Sequence, residues 1–219
     1  MIKACIFDLD GTLLNTLTTI RYYVNQTIGE LGLSPISTEE CCSFIGLGAR
    51  HLIHSTLKSK GIDDAALTES TLKAYNARYD ADTLYLTEPY NGIVEMIDEL
   101  LSSGIRLAVL SNKPDPTTTD IVSKFFPGSF TVVHGGRPGV PLKPDPTALL
   151  STIDELGVSP DEVMYIGDTG VDVLTGKNAA VCKTVGVSWG YRPASELSEC
   201  GADVIIDHPK DIVSEARKV

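Results

Sequence analysis

No run of about 18 uninterrupted apolar residues occurs in the 219-residue chain, so no membrane-spanning helix and no membrane partner is expected. The opening MIKACIF has neither the long apolar stretch nor the small-residue cleavage site of a secretory signal. Positive charge is also short: 18 Lys and Arg stand against 29 Asp and Glu, for a net charge of −11. Contacts to a nucleic-acid backbone need clustered Lys and Arg, so no nucleic-acid partner is expected either. A small anionic substrate is not excluded, because a few local cations can override the global field. Cysteine is sparse and odd in number: Cys5, Cys41, Cys42, Cys182 and Cys200, without the double pairing of a zinc site. They read as reduced, mostly core residues of a cytoplasmic protein. The vicinal Cys41-Cys42 leaves a redox or metal role open. Internal repeats and low-complexity tracts are absent as well.

What is present is an ordinary globular composition, with 42% hydrophobic and 21% charged residues. The length allows one good core and a smaller appended domain. Six Val- and Ile-rich runs read as strands: KACIFDL, RLAVLS, FTVVHG, VMYIGD, VCKTVGV and ADVIID. Most lack polar alternation, as strands covered on both faces do. Helical patterns separate them. NGIVEMIDELLSSG puts Ile93, Ile97, Leu100 and Leu101 on one side and stops at Gly104. PTALLSTIDELG opens at Pro146 and closes at Gly157. This alternation predicts an α/β fold with a mostly parallel sheet. From about Thr16 to about Thr87 no strand is legible, only helical patterns. That interval reads as an all-helical module inserted after the first strand, with hinges near Thr16 to Thr19 and Leu86 to Asn91. The division expected is residues 1–15 and 88–219 as an α/β core and 16–87 as a helical domain.

Chemistry gathers where strands end. In IFDLDGTLLNT the apolar run ends in Asp8 and Asp10. In a continuing strand these would share one side, about 6.6 Å apart. At an effective dielectric of about 20 they would repel by roughly 2.5 kcal/mol. A hard cation such as Mg²⁺ removes that cost, and carboxylate oxygens suit it. Gly11 lets the chain turn, and backbone N–H groups at Gly11 and Thr12 are the usual material of an anion cradle. Asp-x-Asp-Gly also describes a plain turn. The later elements weigh against that reading alone. RLAVLSNKP delivers Ser111 and Asn112, PLKPDP holds Lys143 between prolines, and VMYIGDTGVD ends in Asp168 and Asp172. Singly, each has a structural reading as a helix start, a rigid loop or a helix cap. In this order on successive strand ends, they bring carboxylate, hydroxyl, ammonium and carboxylate to one sheet edge.

DLDGTL, SNK, KPDP and GDTGVD, in this order, resemble the four motifs of the haloacid dehalogenase-like (HAD) hydrolases. The resemblance covers the whole chain, since the helical insertion matches the cap domain of such enzymes. FIGLGARHLI and EPYNGIVEMIDELLSSGIRLAVLSNKP are similar to the phosphoglycolate phosphatase-like branch. The resemblance implies a Rossmann-like, doubly wound sheet with an inserted all-helical cap. It implies a Mg²⁺-dependent phosphatase acting on a small phosphorylated metabolite, with 2-phosphoglycolate as the best candidate. It makes Asp8 the nucleophile and Asp10 the proton carrier. The metal ligands implied are Asp8, the Asp10 carbonyl and Asp168, with Asp172 acting through water or by orienting neighbours. Ser111, Asn112 and Lys143 would bind the phosphoryl oxygens. Asn15-Thr16 departs from the Asp-Ser that many relatives carry; Asn15 is read here as a helix N-cap. In the cap, Gly46 and Gly48 flank a turn, and Arg50 is a candidate for the substrate's carboxylate. The pair His51 and His54 is not read as a metal site. Tyr191 and Arg192 receive no role. A monomer or homodimer is expected. Competing readings are a phosphatase of a sugar phosphate or a pyrophosphatase, a phospho-acceptor receiver domain, and a non-catalytic binding protein on this fold.

Overall fold

Runs of apolar residues without alternation need cover on both faces, and the computed structural model, which describes residues 1–218, supplies it. The chain divides into two compact units, Met1–Asn15 with the segment from Pro89 onward, and Thr16–Glu88. The first begins with β1 (Ala4–Phe7) and the two-residue β2 (Leu14–Asn15). The second carries α1 (Leu17–Gly29), α2 (Thr38–Phe44), α3 (Ala49–Ser59) and α4 (Ala65–Ala81). After the two-residue β3 (Glu88–Pro89) come α5 (Ile93–Ser102), β4 (Arg106–Pro114), α6 (Asp115–Phe125) and β5 (Val132–Gly136). Then follow α7 (Thr147–Leu156), β6 (Val163–Gly167), α8 (Gly170–Asn178), β7 (Lys183–Val187), α9 (Ala194–Glu199), β8 (Val204–Ile206) and α10 (Pro209–Arg217).

The main sheet has the order β5-β4-β1-β6-β7-β8, and every pairing in it is parallel. This is the doubly wound arrangement: the chain runs outward one way from β1 and then outward the other way from β6. Ile6 pairs with Ala108 on one side and Tyr165 on the other. One face buries Ala4, Ile6, Ala108, Leu110 and Tyr165 under Ala148, Leu149, Ile153 and Leu156 of α7. Alternate residues Cys5, Phe7, Leu107, Val109, Met164 and Ile166 point the other way and are equally buried. β1 and β6 therefore sit in the middle of the sheet with no exposed residue. Their carboxyl ends bound the crevice where strand order reverses, the place where such sheets bind ligands.

The helical unit has its own core of Tyr23, Val24, Ile28, Leu52, Ile53, Leu57, Tyr75 and Tyr79. The Tyr23 and Tyr79 rings lie 5.4 Å apart and Tyr75 and Tyr79 5.8 Å. Ser37 and Glu40 form a capping box that starts α2, and Asp64 caps α4. Gly46 and Gly48 both take positive φ, 116° and 86°, in the turn before α3.

Several local expectations are corrected. Asn15 is not a helix cap; it ends β2, and Thr16 stands at the N-cap of α1, where its side chain makes no capping hydrogen bond. Leu101 is 39% exposed and Met96 takes its place in the buried stripe of α5, one turn before Leu100. Only Cys5 and Cys41 are buried; Cys42, Cys182 and Cys200 are partly exposed, and all five are free thiols. Among the described residues no helix is long and apolar enough to cross a membrane.

Adjacent leucines of α7 offer a stability test. Leu149 is fully buried and Leu150 is 41% exposed. Leu149→Ala should cost about 2–5 kcal/mol through lost transfer energy and a residual cavity. Leu150→Ala should cost about 0.5 kcal/mol or less. Urea unfolding checks both through the midpoint at unchanged slope.

Candidate active site

Asp8 is the first residue beyond β1, and its N–H donates to the Ile166 carbonyl of β6 at 2.9 Å. Asp168 is the first residue beyond β6. The order reversal of the sheet thus sets these two carboxylates side by side. Asp8, Asp168 and Asp172 bring carboxylate oxygens within 4.8 Å of one another, and all three are buried. The expectation that Asp8 and Asp10 share one face of a strand does not hold. β1 stops at Phe7, and a turn follows in which the two side chains part. Asp8 Oδ1 accepts from Lys143 Nζ at 2.9 Å, whereas Asp10 pairs with Lys113.

Among the described residues Lys143 is the cation placed inside this carboxylate group. Its Nζ donates to Asp8 Oδ1 at 2.9 Å, Asp172 Oδ1 at 2.7 Å and the Leu110 carbonyl at 3.2 Å. Three donors meet three acceptors, so the ammonium is fully satisfied although it is buried. Burial alone would lower its pKa, but the Asp172 and Asp8 charges outweigh that and hold it well above the ordinary lysine value. The loop that carries it is pinned by Asn112. The Asn112 side chain accepts from the Lys143 N–H at 2.9 Å and donates to the Lys143 carbonyl at 3.1 Å. Ser111 is buried beside it, and its Oγ accepts from the Lys113 N–H at 3.2 Å. Ser111 and Asn112 do not end their strand as expected; β4 runs on to Pro114 with its register disturbed beyond Leu110.

The carboxylates have distinct surroundings. Asp8 Oδ1 also accepts from the Leu9 N–H at 2.7 Å, and Oδ2 makes no hydrogen bond among the described residues. Asp168 accepts from Thr12 Oγ1 at 3.1 Å and from the Tyr191 N–H at 2.8 Å. Asp172 is the most encumbered. Its Oδ1 takes Lys143 and Tyr165 Oη, and its Oδ2 takes Thr169 Oγ1 at 2.7 Å and the Thr169 N–H at 3.1 Å. Asp172 is therefore the reciprocal partner of Thr169 in the capping box of α8 as well as the anchor of Lys143. Burial pushes the Asp8 carboxyl up to about 7, with Lys143 pulling down and Asp172 adding to the rise. Burial, then Asp172 and Asp8, push Asp168 well above the carboxylate range.

The anion cradle expected at Gly11 and Thr12 is not formed. The Gly11 N–H donates to the Leu14 carbonyl and the Thr12 N–H to the Leu9 carbonyl, so the turn satisfies its own donors. Both residues serve Asp168 instead. A Cβ at Gly11 would lie 2.3 Å from Asp168 Oδ2, and Gly11 has φ +87°. Thr12 is wholly buried and spends its hydroxyl on Asp168.

Sequence reasoning missed four contributors. Lys113 pairs with Asp10 at 3.2 Å. Trp189 donates its indole N–H to the Thr12 carbonyl at 3.0 Å, and Tyr191 donates its backbone N–H to Asp168. Gly190, between them, approaches so closely that a Cβ there would lie 2.1 Å from the Asp168 Cβ. The glycine in WGY was the available signal. Arg50 lies in the other unit, exposed and paired with Glu69 at 2.6 Å. His51 Nε2 is within 3.2 Å of Ser55 Oγ. The acidic trio is the group of metal-ligating type found among the described residues.

The donor set suits a divalent hard cation. Fully ionised, three carboxylates against one ammonium would leave two negative charges for a cation to compensate in a buried crevice, and the donor atoms are oxygens. Asp8 and Asp168 are the better-placed candidates, because each oxygen of Asp168 carries one hydrogen bond whereas each oxygen of Asp172 carries two.

A family model described as haloacid dehalogenase-like hydrolase matches residues 5–187. A phosphoglycolate phosphatase of Aquifex aeolicus is 32% identical, the match covering 96% of this chain and 95% of that protein. An N-acetylmuramic acid 6-phosphate phosphatase of Pseudomonas aeruginosa is 31% identical over 97% of this chain and 93% of its own length. Among solved structures, CbbY from Rhodobacter sphaeroides in complex with phosphate superposes with a TM-score of 0.83 at 25% identity, covering 97% and 96% of the two chains.

The raised carboxyls carry a pH dependence. The folded protein holds a proton on Asp8 up to about pH 7, whereas the unfolded chain releases it near the ordinary aspartate value of 3.8. The Asp8 contribution to stability is therefore complete below about pH 4 and is lost as pH rises toward 7. A cation binds the ionised form, so Mg²⁺ should raise Tm more at pH 8 than at pH 5. Thermal scans at the two pH values with and without Mg²⁺ check this.

Proposed function

Because the chain belongs to the haloacid dehalogenase-like hydrolases and is a phosphatase of phosphate monoesters, we propose that it is Mg²⁺-dependent and cleaves a small ester, 2-phosphoglycolate, through an aspartyl-phosphate on Asp8. One observation carries the reading: Asp8 stands at the sheet's crevice with Oδ1 fixed by Lys143 and the Leu9 N–H and with Oδ2 free of hydrogen bonds among the described residues. An oxygen so held can attack in line while its carboxylate partner atom is kept in place. In the first step Asp8 Oδ2 bonds to phosphorus, the bond to the leaving oxygen breaks, and Asp10 gives that oxygen a proton. In the second, Asp10 takes a proton from water as the water oxygen bonds to phosphorus and the Asp8–phosphorus bond breaks. Lys143, Ser111 and the Asn112 backbone are assigned to the phosphoryl oxygens, and positioning with charge neutralisation is most of what phosphoryl transfer requires. Mg²⁺, when bound by Asp8, the Asp10 carbonyl and Asp168, supplies positive charge against the phosphoryl oxygens. Asp172 acts by orienting Lys143, in keeping with its engaged oxygens.

The helical unit is assigned the role of a specificity cap, with Arg50 as candidate for the substrate's carboxylate. Arg50 is tied to Glu69, so this assignment requires the guanidinium to exchange or share that partner. The N-acetylmuramic acid 6-phosphate phosphatase relative supports a second reading, a sugar 6-phosphate as substrate.

A panel of phosphate esters with and without Mg²⁺ tests both. Chelation should abolish turnover and Mg²⁺ restore it, and Asp8→Asn should lower kcat on the order of 10⁴-fold or more. Turnover without a divalent cation, or activity kept in Asp8→Asn, would refute the mechanism. Preference for a sugar 6-phosphate over phosphoglycolate would select the second reading. Arg50→Ala should raise KM for phosphoglycolate about 10-fold or more with kcat nearly kept, the loss of a charged hydrogen bond. An unchanged KM removes Arg50 from the substrate site.

A further inference from the structure

Two carboxylates only two residues apart are drawn to different lysines. Asp8 goes to Lys143, while Asp10 presents both oxygens to Lys113 Nζ, at 3.3 Å and 3.2 Å. The pair is shielded, with the Lys113 side chain 7% and the Asp10 side chain 14% exposed. Asp10 is correspondingly outside the trio whose oxygens converge. Lys113 is not a loose surface lysine that happens to reach an acid. Its N–H donates to Ser111 Oγ at 3.2 Å and its carbonyl accepts from Thr118 Oγ1 at 3.2 Å. The backbone of β5 presses against it: a Cβ at Gly135 would lie 2.5 Å from the Lys113 carbonyl oxygen. The lysine stem thus starts from a fixed point of β4, on the same strand end as Ser111.

We propose that Lys113 is a positioning residue for proton transfer, holding the Asp10 carboxylate apart from the Asp8, Asp168 and Asp172 group so that it stays available to the leaving oxygen. The inference rests on the assignment of Asp10 as proton carrier made above. The physical reason is competition. Four carboxylates share one crevice, and a cation bound among three of them attracts the fourth as well. A second ammonium that engages both oxygens of Asp10 neutralises it locally and fixes its orientation. Removing one partner of a shielded ion pair weakens the compensation of the other charge. In the absence of Lys113, Asp10 would therefore turn toward the remaining positive charge, away from the position where it serves the leaving group. Lys113 itself gives up no proton in this scheme: the proton that Asp10 gives is the one it takes from the hydrolytic water of the preceding turnover, carried on one Asp10 oxygen while Lys113 keeps the other.

Leaving groups separate this role from a general one. An aryl ester such as p-nitrophenyl phosphate expels a stable anion and needs little protonation, whereas an alkyl ester needs the acid. The ratio kcat/KM covers only the steps up to release of the alcohol, so the later hydrolysis does not enter it. In Lys113→Met, kcat/KM for the alkyl phosphate turned over fastest by the wild type should fall about 10–100-fold, and for p-nitrophenyl phosphate by about 3-fold or less. Lys113→Arg should restore the alkyl ester to within about 3-fold of wild type, since a guanidinium can hold a carboxylate by two bonds. Mn²⁺ affinity, read by water-proton relaxation, should not be weakened in Lys113→Met, which a collapsed site would not permit. Equal losses on both esters, or no loss on either, would overturn the proposal. Asp10→Asn is the companion measurement. If it shows the leaving-group dependence and Lys113→Met does not, Lys113 is excluded while Asp10 keeps its role. If Asp10→Asn loses both esters equally, the assignment of Asp10 is wrong and the inference falls with it.

Discussion

A single buried ammonium, Lys143, spans two buried carboxylates, and the carboxyl edge of the sheet is built around that contact. Without it, Asp8 and Asp172 would face each other dehydrated and unpaired, a state that buried charges do not tolerate. Its surroundings follow from the need to hold it. Asn112 clamps the loop on both sides of the peptide, Leu110 gives a carbonyl, and Tyr165 lies beneath with its ring centroid 6.0 Å from Nζ. One ammonium still leaves three carboxylates short of neutrality by two charges. That shortfall suits a divalent cation better than it suits a plain structural salt bridge.

The support of Asp168 is of a different kind, because it comes from backbone and from missing side chains. Gly11 and Gly190 approach the carboxylate from two directions, each so near that a methyl group would overlap it. Tyr191 adds a backbone N–H, and Trp189 ties the turn after β1 to the loop after β7 through the Thr12 carbonyl. A carboxylate held this way is fixed in place before any cation or anion arrives, which is the preorganisation that electrostatic catalysis depends on. The main sheet has little freedom of its own, since β1 and β6 are buried along their whole length.

The sheet was legible because each strand is a short apolar run with its own boundary residues, and all six runs read as strands lie in it. Asp8 and Asp168 were legible because each directly follows an apolar strand, Ser111 because it closes the apolar run of β4 although the strand goes on to Pro114, and Lys143 because prolines bracket it. Leu101 was misplaced because Met96 and Leu101 both satisfy an apolar pattern and only packing chooses between them. Asp8 and Asp10 were expected to share a face because the strand was extended two residues too far. Lys113 stayed hidden since its partner is 103 residues away and Ser-Asn-Lys-Pro already read as a helix start. Tyr191 contributes a peptide N–H, which no side-chain type announces. Gly11 and Thr12 were read as donors toward a ligand, yet the turn consumes those donors and leaves the residues to shape the carboxylate pocket.

Two in-line displacements at phosphorus, one by Asp8 and one by water, each invert configuration, so together they retain it. Hydrolysis of a substrate made chiral at phosphorus with oxygen isotopes, in isotopically labelled water, reads this directly. The arrangement of Asp8, with one oxygen fixed by Lys143 and the other open, predicts net retention. Net inversion would mean that water attacks the substrate itself, and would contradict Asp8 as the nucleophile.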